Sequence, residues 1–151
     1  MTRIDIYTEG IRLPYKKATR GMLRAIAVGA AARLDMTNAS ISIIICDDAY
    51  IRGINREFRS IDQPTDVISF SNREVAFPEL ETTLDEIGDI FISVERALEQ
   101  SQECRVTFID ELKRLVVHGM LHLAGYDHER SDLDEKIMLD KEEDICSSIA
   151  L

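Results

Sequence analysis

At 151 residues, 45% apolar and 30% charged, the chain has the length and composition of one globular domain, which excludes disordered and fibrous classes. No apolar run approaches the ~20 residues of a bilayer span, and the opening MTRIDIYTEG lacks the basic-then-apolar layout of a signal peptide. The net charge of −10 argues against extended electrostatic binding of duplex nucleic acid, and three widely spaced cysteines without a CxxC pair point to a reduced, cytoplasmic setting.

RIDIYTE alternates apolar and polar residues and predicts a strand. Pro14 suits a first helical position, and Ala18, Met22, Ile26 and Ala30 recur every four residues, which predicts an amphipathic helix from there to about Leu34. ISIIIC (41–46) predicts a buried strand ending in a core cysteine, Cys46. Asp47 and Asp48 are caps for a short helix through about Phe58. After the connection RSIDQPT comes a short strand, DVISF (66–70), and then an acidic, proline-containing stretch, 71–86, that reads as a mobile loop. EIGDIFIS (86–93) predicts another strand, with Gly88 marking a bulge or a close backbone approach. Helices are expected over 94–102, from Thr107 to Ala124 with Gly125 just past its end, and from about Asp132 to Ser148. Interleaved strands and helices without repeats or linkers indicate an α+β fold, one domain over residues 1–151, built around a small mixed sheet.

The chemistry concentrates in LVVHGMLHLAGYDHE (115–129), which carries all three histidines of the chain. Helical positions i and i+4 lie ~40° apart around the axis and ~6 Å apart along it, so His118 and His122 project from one face. A turn after Gly125 lets His128 approach from a third direction. A single histidine on an apolar helix is more often a hydrogen-bonded core residue. Two on a helix this apolar would be costly without partners, and a metal supplies one for each ring. Three imidazoles with an open fourth position suit a catalytic zinc ion, at the helix end and the turn that follows. Nickel, copper and cobalt suit the same donors. The spacing also matches the elongated zinc-protease signature, but that signature has Glu directly after the first His as general base, and here the residue is Gly119.

HGMLHLAGYDH (118–128) resembles the signature of the YbeY family, the bacterial ribosomal RNA maturation factors that behave as metal-dependent endoribonucleases. NREFRSIDQPTDVISF (55–70) and IGDIFIS (87–93) are similar to two further blocks of that family, in the same order, so the likeness spans roughly residues 40–130. The resemblance implies zinc held by His118, His122 and His128, and a role for Arg59 at the catalytic cleft. A guanidinium grips a phosphodiester with paired hydrogen bonds and stabilises the charge that builds in phosphoryl transfer. Asp66, Asp89 and Asp127 are candidates to orient a ligand histidine or line the cleft, or else are turn and strand-end residues.

The expected activity is cleavage of single-stranded RNA, as ribosomal RNA precursor, with a ribosomal subunit or assembly proteins as partners and no membrane. A zinc peptidase or amidase, and a non-catalytic ribosome-assembly factor with a zinc site, are the rival readings. The charge is uneven. Residues 1–60 hold 10 Lys/Arg against 6 Asp/Glu, and residues 61–151 hold 8 against 22. Weak intrinsic affinity for RNA is therefore expected unless the basic portion lines the cleft.

Overall fold

The computed structural model describes residues 2–72, 85–126 and 131–151. In chain order it contains β1 (Arg3–Glu9), α1 (Arg20–Arg33), β2 (Ala39–Cys46), α2 (Asp48–Arg59), β3 (Val67–Ser71), β4 (Asp85–Ser93), α3 (Val94–Cys104), α4 (Phe108–Leu123) and α5 (Asp132–Ser148). The strands form one sheet in the order β1-β2-β4-β3. β1 and β4 run parallel to β2, while β3 pairs antiparallel with β4 as an edge strand, so the sheet is mixed. The α+β class expected from the sequence is the one observed.

Alternation along the strands sends Ile4, Ile6, Ile41, Ile43, Ile45, Ile90 and Ile92 into the main core, with α1, α4 and α5 supplying the other side. The opposite face carries a smaller cluster under α2, formed by Cys46, Ile51 and Ile68 with Ile54, Phe70 and Phe91 against them. α4 is the central helix: Leu112, Leu115, Val116, Val117, Met120, Leu121 and Leu123 are all buried. Each such side chain contributes roughly 1.5–3 kcal/mol of burial, so the frame around the histidines is anchored by the core itself.

Helix ends follow the local chemistry. Asp47 caps α2 by accepting from the Tyr50 amide, Thr107 caps α4 by accepting from Asp110, and Ser131 caps α5 by accepting from Asp134. The expected start of the first helix at Pro14 needs correction. Lys16 and Lys17 have positive φ, Tyr15 bridges Ala18, and the helix begins only at Arg20, where Thr19 accepts from the Met22 amide. A true cap satisfied an exposed amide there, and the proline belongs to the turn before it. The segment 71–86 expected to be a mobile loop is strand at both ends, at Ser71 and from Asp85; residues 73–84 lie outside the described residues.

Gly88 is a bulge, as expected. The β2–β4 register shifts there, its φ is +155°, and an added Cβ would stand 2.1 Å from the Phe70 carbonyl oxygen. That absence of a side chain lets β3 and the end of α4 close on β4.

Candidate metal centre

α4 delivers His118 and His122 on adjacent turns of one face, and their rings stand edge to face with centroids 4.7 Å apart. The two Nε2 atoms are 3.1 Å apart. Two nitrogen ligands at zinc-ligand bond lengths on one tetrahedral ion would stand about 3.3 Å apart, so the pair is spaced to share a cation. His128 and Asp127 lie outside the described residues. Gly125 has φ +99° and ends α4 at the position expected for a left-handed terminator.

The other side of His118 was not foreseen from the sequence. Its Nδ1 lies 2.7 Å from Oε1 of Glu142, a buried carboxylate on α5. A carboxylate only accepts, so Nδ1 carries the proton and Nε2 is left as the electron-pair nitrogen facing His122. The sequence did hold a signal: Met138, Glu142 and Ile145 recur at helical spacing, and all three are buried. In a tail of many carboxylates, that spacing was the one mark separating Glu142 from solvated neighbours.

Behind Glu142 lies a charged group bridging α3, α4 and α5. Arg114 donates Nε to Glu111 Oε1 at 2.8 Å and reaches Glu142 Oε2 at 3.9 Å and Asp66 Oδ2 at 3.8 Å. Gln100 donates to both Asp66 and Glu111, at 3.1 and 3.3 Å. Burial pulls the Arg114 guanidinium down, but the Glu111 hydrogen bond and the charges of Glu111, Glu142 and Asp66 outweigh it and hold the group above its ordinary value. Asp66 also accepts from the Val67 amide, so it stands in this partly buried network and at the start of β3. Asp89 is half-buried on β4, and burial, then the charge of Glu86, raises its carboxyl above the usual range.

Arg59 sits at the exposed end of α2. Its Nη2 donates to the Ser69 carbonyl at 3.1 Å and its guanidinium lies 5.1 Å from the centre of the Phe70 ring. The Ser69 hydroxyl donates in turn to the Gly119 carbonyl at 3.4 Å. Edge strand β3 thus links Arg59 to the residue that follows His118. Gly119 itself faces β4: an added Cβ would lie 2.7 Å from Ile90 Cγ2 and 3.1 Å from its Cδ1. The position where a zinc protease carries its general base is therefore packed against the sheet.

Comparison with known proteins gives a consistent result. The profile of the Endoribonuclease YbeY family matches residues 4–150. The protein of that name from Sulfurihydrogenibium sp. is 40% identical over 134 residues, 89% of this chain and 86% of its own. That from Persephonella marina is 36% identical, covering 99% and 94% of the two chains. The solution structure of TM1509 from Thermotoga maritima superposes with a TM-score of 0.62 at 25% identity, over 95% of this chain and 88% of that one. An α+β domain with this site and these relatives is an enzyme of the hydrolytic nuclease class. The chain belongs to the Endoribonuclease YbeY family.

Proposed function

We propose that the chain is a zinc-dependent endoribonuclease that cuts single-stranded RNA, with ribosomal RNA precursor as substrate, in ribosomal RNA maturation and ribosome quality control. The observation that carries this reading is the pair of Nε2 atoms 3.1 Å apart, one of them oriented by a buried carboxylate. His118, His122 and His128 would hold the ion. Three neutral imidazoles leave a bound divalent cation its full charge, which supplies Lewis acidity for phosphodiester cleavage. Nickel or another divalent metal fits the same donor set.

Arg59 is the phosphate-binding group in this reading. The Ser69 carbonyl occupies one of the five N–H donors of an exposed guanidinium, and Phe70 supports its plane. In this reading its remaining donors would bind a non-bridging oxygen and stabilise charge in the transition state. The acidic half of the chain disfavours long electrostatic contact with RNA, so a ribosomal subunit or assembly proteins would supply part of the specificity. Such work belongs in the cytoplasm; among the described residues no helix is long and apolar enough to cross a membrane. A peptidase or amidase would need a base other than the usual glutamate, because Ile90 fills the space beside Gly119.

The test is cleavage of a single-stranded ribosomal RNA precursor fragment by wild type, His118→Ala and Arg59→Ala, purified in parallel. Loss of cleavage to background in the first variant and a fall of at least about 100-fold in the second are expected, the scale of losing one transition-state donor. Full activity in both variants would overturn the site assignment.

A further inference from the structure

We infer that Glu142 is a positioning residue for the metal centre: through its hydrogen bond to Nδ1 it fixes the tautomer and direction of His118, and Arg114 and Glu111 hold it in place. The inference rests on the metal-centre reading given above. A histidine offers a cation whichever ring nitrogen lacks a proton, and a neutral imidazole exchanges that proton between its two nitrogens unless something selects one. Here the selection is structural. Glu142 Oε1 accepts from Nδ1 at 2.7 Å, so the electron pair is confined to Nε2, the atom 3.1 Å from its counterpart on His122.

Burial argues that the carboxylate is held for a purpose. The Glu142 side chain is only 8% exposed, and a carboxylate buried that far is costly without partners. Its two oxygens divide the work. Oε1 takes the imidazole, and Oε2 faces Arg114 Nη1 at 3.9 Å. Arg114 is in turn fixed by Glu111, which is 3% exposed and receives a further donor from Gln100. The group reaches from α3 through α4 to α5 and is hydrogen-bonded to His118 through Glu142. The same connection gives α5 a function: it is the helix that delivers this carboxylate to α4.

The experiment measures zinc affinity by competition with a chromogenic chelator, using the full chain as wild type, His122→Ala, Glu142→Ala and Glu142→Gln. Long-range 1H–15N spectra of the metal-free proteins report which nitrogen of His118 carries the proton, and circular dichroism confirms folding. Glu142→Ala should bind zinc about 10–100-fold more weakly, the usual cost of losing such a partner, and should lose the fixed Nδ1–H form. Glu142→Gln, whose amide oxygen still accepts from Nδ1, should recover the tautomer and part of the affinity. Folded Glu142→Ala with wild-type affinity and the wild-type tautomer overturns the inference, while loss of zinc in His122→Ala leaves the metal centre standing. Wild type that binds no zinc, or His122→Ala that binds it equally well, overturns both. If Glu142→Ala does not fold, Glu142→Gln decides: zinc affinity that is kept with the Nδ1–H form, or lost with it, supports the inference, and wild-type affinity after loss of the Nδ1–H form overturns it.

Discussion

Residues of one chemical type take opposite roles here according to what surrounds them, and the cysteines show it as clearly as the histidines. Cys46 is fully buried, its thiol donates to the Ile92 carbonyl, and burial first, then Asp47, Asp48 and Glu9, push it from 9.0 up to about 12. Cys104 is exposed at the end of α3. Iodoacetamide at pH 8 should therefore alkylate Cys104 in the folded protein and spare Cys46 until the chain unfolds, as peptide mass spectrometry would read. Rapid modification of Cys46 under native conditions would contradict its burial. The pH dependence follows in sign. The folded-state value is raised, so Cys46 costs nothing below pH 9, where the thiol is protonated in both states. Between 9 and 12 only the unfolded chain ionises, and alkaline pH favours unfolding.

At the scale of elements, α4 decides what the site can be. Thr107 at its start, Gly125 past its end and the i, i+4 histidines were legible in the sequence, because capping and periodicity are local and nothing in the tertiary structure opposed them. Gly119 was legible as a missing base but not as a packing contact, since its reason is Ile90, twenty-nine residues back in the chain on the strand α4 packs against. Gly119→Ala should lower stability by about 1–3 kcal/mol, the usual cost of overpacking a filled core. Helix propensity works the other way by about 1 kcal/mol, but Ile90 is β-branched and fully buried and has nowhere to move. Chemical denaturation measures the difference, and a stabilised variant would show that α4 and β4 can separate. The start of α1 was misplaced for a related reason: Pro14 is compatible with a helix start, but Thr19 supplies the cap. Glu142 was hidden because partnership between α4 and α5 is a tertiary fact, written only faintly in the burial spacing of α5.

The whole molecule joins these parts with a division of charge and of layers. The main core holds α4 against the sheet, and the buried carboxylates with Arg114 sit between α4 and its neighbours. Arg59 comes from the other layer by way of edge strand β3. The α+β class was legible from interleaved patterns. The position of β3 outside β4 was not, because strand order depends on long-range pairing that periodicity does not encode. The edge strand β3 ties Arg59 to Gly119, beside a His118 ring held by Glu142; if His118 and His122 share a cation as proposed, RNA cleavage depends on that ion. The most direct measurement removes metal with a chelator, dialyses the chelator away, and titrates zinc back while following cleavage of the precursor RNA, for wild type and His122→Ala side by side. Wild-type cleavage should fall to background and return in full at about one zinc per chain, with no recovery in the variant. Chelated wild type that cleaves at full rate, or His122→Ala restored by the same single equivalent, would contradict the account.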